Sequence, residues 1–97
     1  MIINETNKKI QFEELLGSKA RVKIIKILAI NEELNISLII KKTRLNYNNV
    51  SKHLNLLKSL NLVEEKKFGR IKIFRYKIEN FKARILKKFI ETWEENC

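Results

Sequence analysis

A change of hydrophobic period after Asn61 constrains the fold more than any other feature of the sequence. Before this residue, apolar side chains recur at helical spacing, at i, i+4 and i+7. They are Val50, Leu54 and Leu57. After it, residues 62–67 and 71–78 are rich in β-forming side chains, and Gly69 lies between them where a hairpin needs a turn. We therefore expect an α+β fold in which a β-hairpin follows the helices.

The helical part of the chain predicts two helices joined by a three-residue turn. Ser37 is suited to cap a short helix over residues 38–43, and Asn46 to cap a longer helix over residues 47–60. A longer second helix with a polar beginning is typical of the helix-turn-helix motif. With the hairpin as its wing, the segment Ile36–Arg75 predicts a winged helix-turn-helix.

The flanking residues complete the predicted fold. We expect a short helix over residues 11–16 that ends at Gly17 in the left-handed conformation. Ser18 is suited to cap a helix over residues 19–30, and a short pairing at Asn35–Ile36 is expected to make a third strand. Alternate residues of the second hairpin strand are expected to face the core, namely Phe74, Tyr76 and Ile78.

The last predicted helix, over residues 81–95 with Asn80 as its cap, is more apolar than a small domain needs. Its apolar residues are Phe81, Ile85, Leu86, Phe89, Ile90 and Trp93. We expect this stripe to be a dimerisation face in a homodimer. Cys97, the sole cysteine, follows the helix, and it is either an inert thiol or one half of a disulfide between two copies.

The length of 97 residues suits a single domain, with a core over about residues 12–78 and a C-terminal helix over about residues 81–95. No apolar run reaches the roughly 20 residues that span a bilayer, so we expect a cytoplasmic protein without a membrane partner. One histidine, one cysteine and no aspartate leave no catalytic or metal-binding cluster. We expect neither an enzyme nor a cofactor, and a partly buried structural role for His53.

Positive charge is concentrated in the middle of the chain. The net charge is +10, and residues 34–77 hold eleven basic side chains against two acidic ones, a net of +9. A basic segment that coincides with a helix-turn-helix points to double-stranded DNA as the partner.

The predicted base-reading residues lie at the polar beginning of the helix over residues 47–60. They are Tyr47, Asn48, Asn49, Ser51, Lys52 and Asn55. This end of such a helix meets base edges, and an asparagine amide can pair bidentately with adenine in the major groove. The alternative is that the asparagines are caps and solvated surface in an asparagine-rich chain, and for Asn46 we favour the cap.

The predicted backbone contacts come from the helix-turn-helix and from the wing. They are Lys41, Lys42 and Arg44, and, in the wing, Lys66, Lys67, Arg70 and Lys72. These cations are suited to phosphates or to the adjacent minor groove. The alternative for the wing is protection of a strand edge by lysine.

Three stretches, residues 16–28, 47–63 and 69–76, resemble the winged helix-turn-helix regulators of the ArsR type. The core of the resemblance is Val50-Ser51-Lys52-His53-Leu54, followed by Leu62-Val63 and the wing Gly69-Arg70. The resemblance implies a transcriptional regulator, often a repressor, that dimerises through terminal helices. Metal-sensing members carry a cysteine pair where this chain has Leu34-Asn35-Ile36-Ser37, so metal sensing by that site is not expected.

We therefore predict a dimeric DNA-binding transcriptional regulator that reads the major groove with residues 47–60 and anchors through the wing, residues 64–75. A nonspecific, chromatin-like architectural DNA-binding protein is the alternative, and a winged-helix module that binds protein is a weaker one. The sequence specifies neither a target site nor a small-molecule effector.

Overall fold

The computed structural model describes residues 9–95, so Cys97 lies outside the described residues. This part of the chain contains five helices and three strands. In chain order they are α1 (Phe12–Leu15), α2 (Lys19–Asn31), β1 (Glu33–Asn35), α3 (Ile36–Thr43), α4 (Tyr47–Ser59), β2 (Val63–Phe68), β3 (Ile71–Tyr76) and α5 (Phe81–Glu95). The arrangement confirms the predicted α+β winged helix-turn-helix. No helix in residues 9–95 is long and apolar enough to cross a membrane.

Three of the predicted helix caps are confirmed. In each, the side-chain oxygen of the capping residue accepts a hydrogen bond from the main-chain N–H three residues later, which satisfies one unpaired donor of the first turn. The capping residues are Ser18 for α2, Asn46 for α4 and Asn80 for α5. The polar residues that begin these helices therefore fix where the helices start.

The predicted cap of α3 is wrong by two residues. Asn35 takes this role, because its Oδ1 accepts from the N–H of Leu38 at 2.8 Å, and Ser37 lies inside the helix. Asn35 also ends β1, and its extended backbone conformation (φ −78°, ψ 161°) suits both the end of a strand and an N-cap. The strand therefore leads directly into the helix with no linker.

The predicted left-handed conformation of Gly17 is also wrong, since Gly69 is the glycine with positive φ in the described chain. Gly17 is required for a different reason: a Cβ there would lie 2.7 Å from the carbonyl oxygen of Glu13. The absence of a side chain allows the backbone after α1 to pass close to the backbone of α1 itself.

Gly17→Ala is expected to lower the free energy of unfolding by more than about 1 kcal/mol, because the atom that the new methyl would meet belongs to the main chain and cannot rotate away. Urea denaturation followed by circular dichroism measures the change. Lys23→Ala, at an exposed position of α2, is the control and should stay within about 0.5 kcal/mol of the parent. Equal stability of the two variants would contradict the close approach.

The three strands form one antiparallel sheet in the order β1-β3-β2. The predicted third strand is confirmed, although it covers Glu33–Asn35 and lies before the predicted position. Phe68 pairs with Ile71, so the hairpin turns over Gly69 and Arg70 alone. The prediction that Ile78 faces the core is wrong, because β3 ends at Tyr76 and the alternation of faces ends with it.

The core is built around α2. The buried apolar side chains come from α2, α3, α4, the sheet and one position of α5. They include Ile24, Ile25, Leu28, Ile39, Val50, Leu54, Leu57, Phe74, Tyr76 and Ala83. The Tyr76 hydroxyl donates to the carbonyl of Ala83 at 2.7 Å, and burial raises the pKa of this phenol to about 12. This contact attaches α5 to the sheet.

Candidate nucleic-acid interface

The turn between α3 and α4 is held by local hydrogen bonds. Arg44 ends α3 in the left-handed conformation (φ 61°), and its N–H donates to the carbonyl of Ile40 at 2.8 Å. The buried Thr43 hydroxyl donates to the carbonyl of Ile39 and accepts from the N–H of Leu45. These bonds fix the angle between the two helices, which a DNA-reading helix needs for defined docking.

Helix α4 has one side that faces the core and one side that faces solvent. Its inward residues Val50, Leu54 and Leu57 are fully buried, as predicted. Of the predicted reading residues, five are exposed and Ser51 is half-buried. The exposed ones are Tyr47, Asn48, Asn49, Lys52 and Asn55. The structure thus leaves most of the predicted set accessible to a ligand, on the first two to three turns of the helix.

The wing lies beside the beginning of α4. Lys72 of β3 approaches Tyr47, the first residue of α4, with 3.4 Å between its Nζ and the phenol oxygen. Lys67 and Arg70 are exposed at the end of the hairpin, and Lys41, Lys42 and Arg44 are exposed around the α3–α4 turn. The predicted backbone-contacting cations therefore lie in the segment that leads into α4 and in the hairpin that contacts its first residue.

Some cations of the basic middle segment are paired within the chain. Lys58 and Glu65 lie 2.7 Å apart, and hydrogen bonding from Lys58 lowers the pKa of that carboxyl. Lys66, predicted as a wing contact, lies 3.3 Å from Glu33 of β1. Eight other cations of the segment have no described carboxylate within ion-pair distance. They are Lys41, Lys42, Arg44, Lys52, Lys67, Arg70, Lys72 and Lys77, the last of which donates to the side-chain oxygen of Asn61.

Arg75 is engaged in an ion-pair network that the sequence reasoning missed. Its guanidinium donates to Glu64 of the opposite strand at 3.1 Å and to Glu79 in the loop before α5 at 2.7 Å. The hydrogen bonds from Arg75 hold the pKa of Glu79 at about 2. Arg75 therefore ties the base of the wing to the start of α5. The opposite charges at the facing positions 64 and 75 of the hairpin were the available signal.

The outer face of α5 remains apolar and exposed. Its four large side chains have exposed fractions of 67%, 53%, 58% and 65%. In order these are Phe81, Ile85, Phe89 and Trp93, while Leu86 and Ile90 are half-buried against the core. Phe89 and Trp93 also contact each other, with ring centroids 6.2 Å apart. A surface stripe of this kind is typical of a protein–protein contact.

His53 is more deeply buried than predicted, with 5% of its surface exposed, and it contacts Arg21 of α2. Within residues 9–95 no group of three histidine, cysteine or acidic side chains is placed to hold a metal ion.

This geometry defines the structural class of the protein, which is a winged helix-turn-helix with an exposed polar helix beside a basic hairpin. Within this class, the arsR family of bacterial regulatory proteins matches residues 18–65, which confirms the predicted resemblance. This family and fold are those of DNA-binding transcriptional regulators and not of enzymes. No curated protein sequence matches the chain.

Solved structures show the same fold. A possible transcriptional regulatory protein from Mycobacterium bovis (fragment 1–100) is 25% identical, with a TM-score of 0.65, over 82% of this chain and 83% of that one. Reduced HlyU from Vibrio cholerae is 16% identical, with a TM-score of 0.72, over 82% and 81%. Sso10a-2, a DNA-binding protein from Sulfolobus solfataricus, is 18% identical, with a TM-score of 0.59, over 80% and 79%.

Proposed function

We propose that the protein is a dimeric transcriptional regulator that reads the major groove of double-stranded DNA with α4 and anchors on the backbone with its wing. The observation that carries this proposal is the proximity of the exposed polar start of α4 to the wing, where the half-buried Lys72 lies 3.4 Å from the Tyr47 hydroxyl and Lys67 and Arg70 are exposed. A DNA target also implies a cytoplasmic location.

The reading role rests on Asn48, Asn49, Lys52 and their exposed neighbours on α4, with the half-buried Ser51 at the border. The side-chain amide of asparagine can pair with adenine in a bidentate manner, because its oxygen accepts from adenine N6 and its NH2 donates to adenine N7, and lysine can pair with guanine. The Asn49 side chain is not needed for the helix cap, because its main-chain N–H donates to Asn46 while its own amide stays exposed. Its amide is therefore available for a base edge.

The anchoring role rests on seven of the eight cations without a described carboxylate partner, all but Lys77, because a phosphate that approaches them displaces no internal ion pair. Lys66 would exchange its contact with Glu33 for a phosphate, so it contributes less than Lys67 or Arg70. The proposed anchors therefore come from the end of α3 and the turn after it, from α4 itself and from the wing.

The dimer is supported by both the shape and the charge of α5. Four large exposed apolar side chains recur along one stripe of the helix. The first half of α5 carries the exposed cations Lys82, Arg84 and Lys88, and the second half carries the exposed carboxylates of Glu94 and Glu95, whereas Lys87 and Glu91 pair with each other within the helix. Two such helices attract each other when they pack antiparallel, which a twofold axis across them produces. Cys97 follows α5 in the sequence, and it is either an inert thiol or one half of a disulfide between the copies.

Selection from a random duplex pool tests the proposal, with binding measured at about 0.05 and 0.2 M salt. We expect enrichment of one palindromic sequence and a specificity ratio on the order of 10³ or more over random DNA. Steep salt dependence without enrichment would replace the proposal with an architectural DNA-binding protein. No binding at low salt would replace both with a protein-binding module.

A further inference from the structure

The environment of His53 selects one tautomer of its neutral ring. The ring lies on the inner side of α4, and its Nδ1 lies 3.4 Å from the Nε of Arg21 on α2, in hydrogen-bonding geometry. An arginine side chain only donates, so Nδ1 must be the acceptor and carry no proton. The neutral ring therefore holds its proton on Nε2.

Arg21 connects three helices through this contact. Its guanidinium also donates to the main-chain carbonyl of Glu14 in α1, and its own N–H donates to the Ser18 cap of α2. One planar group with several fixed donors is suited to hold two partners at once. The orientation of α4 is thus tied through His53 to α1 and to the start of α2.

We propose that Arg21 is a positioning residue for DNA reading, which holds α4 through His53 at the rotation that directs Asn49 and Lys52 toward the bases. Side-chain ends lie about 5–6 Å from a helix axis, so a rotation of about 20° moves them by about 2 Å. A shift of this size breaks a hydrogen bond to a base edge. The apolar contacts of Val50 and Leu54 hold α4 against the core, but apolar contacts have no preferred direction and fix the rotation of the helix less well than a hydrogen bond does.

The contact also depends on pH. The charged groups that act on the ring are Arg21 of α2 and Lys52 of α4, and burial together with these two cations lowers the pKa of His53. The contact is present above the ordinary histidine pKa of about 6.5 and is lost as the pH falls through the lowered value. Once protonated, Nδ1 becomes a donor, so two donors that both carry positive charge would face each other and the hydrogen bond to Arg21 would be lost.

The experiment compares Arg21→Gln and Arg21→Lys with the parent, and Lys23→Gln is the matched control because it removes an exposed cation from the same helix. The discrimination between the selected duplex and a scrambled one is measured by fluorescence anisotropy from about pH 8 to about pH 5. We expect a loss of discrimination of about tenfold for Arg21→Gln at pH 8. A smaller loss is expected for Arg21→Lys, which keeps the charge without the planar fork. Lys23→Gln should show none, and acid should lower the discrimination of the parent by a similar factor of about tenfold but change that of Arg21→Gln little.

The inference rests on the proposed reading function, so a second measurement is made without DNA. Since His53 is the sole histidine, its ring ¹⁵N resonances identify the tautomer and the pKa directly. We expect the Nε2–H tautomer and a low pKa in the parent, and a pKa that rises toward the ordinary value in Arg21→Gln. The Nδ1–H tautomer, or an unchanged pKa in the variant, would show that the contact is absent. Unchanged discrimination in both Arg21 variants would show that the contact does not position α4, whereas failure to select any duplex would refute the proposed function itself.

Discussion

Replacing Phe89 with glutamate is expected to turn the dimer into monomers and to lower the affinity for a palindromic duplex by about 10²- to 10⁴-fold. Phe89 lies in the middle of the exposed stripe of α5, so the substitution would place a carboxylate in the apolar centre of the proposed interface. A monomer binds its two half-sites independently and loses the high effective concentration that a linked pair provides. Sedimentation equilibrium measures the oligomeric state, and anisotropy measures the affinity.

Ile30→Glu is the matched control for this variant, because it adds the same charge at another exposed apolar position, near the end of α2. It should remain a dimer and bind the palindrome as the parent does. Circular dichroism of both variants confirms that the fold is intact, as expected for exposed positions. A Phe89→Glu protein that stays dimeric would show that α5 is not the interface, and a parent that is already monomeric would refute the dimer.

Asn49→Ala and Lys67→Ala are expected to separate reading from anchoring. Loss of one bidentate contact to adenine costs about 1–3 kcal/mol in each half-site, so discrimination by the dimer should fall by roughly 30-fold or more for Asn49→Ala. Lys67→Ala should weaken binding to all duplexes similarly and reduce the salt slope by about one per protomer. Anisotropy titrations of the selected duplex and its single-base variants, at several salt concentrations, measure both quantities.

The Asn49 variant should not disturb the helix, since the Asn46 cap uses only the main-chain N–H of residue 49 and alanine favours helix. Lys23→Ala, which removes an exposed lysine of α2 outside both the proposed DNA surface and the apolar stripe of α5, is the control for Lys67→Ala and should leave the salt slope unchanged. If the Asn49 and Lys67 variants alter discrimination and salt slope in the same way, the division of roles between α4 and the wing is incorrect.

Most of the fold could be predicted because its elements are encoded locally. The spacing of Val50, Leu54 and Leu57 defines the inner side of α4, and Ser18, Asn46 and Asn80 each satisfy a main-chain donor within their own first turn. The change to β-forming residues with a glycine between them defines the hairpin. Each of these signals acts over a few residues, so no tertiary contact is needed to detect it.

The predictions that failed concern positions whose structure is determined by tertiary contacts or by neighbouring backbone segments. Asn35 and Ser37 are both good caps, and only the end of β1 selects Asn35. Gly17 is required by a close approach of two backbone segments, which no sequence pattern shows. Ile78 continues the alternation in sequence but lies beyond the end of β3.

The candidate site was predictable as a set of residues but not as a set of contacts. The exposed side of α4 follows from its period, whereas the ion pairs of Lys66 and Arg75 depend on strand register and on a loop. The contact between Arg21 and His53 joins residues 32 positions apart. The basic segment therefore overstates the number of cations available to DNA, and only the folded arrangement shows which ones are free of carboxylate partners.

Methylation interference on the selected duplex tests most directly whether two copies of α4 read successive major grooves. Methylation of guanine N7 blocks the major groove without changing the sequence. We expect interference at two clusters of bases related by a dyad, with centres about 10 base pairs apart, and reduced interference of both clusters in Lys52→Ala, which removes the α4 side chain proposed to meet guanine. Interference at one cluster only, at unrelated positions along the duplex, or at none would contradict a dimer that reads the major groove through α4.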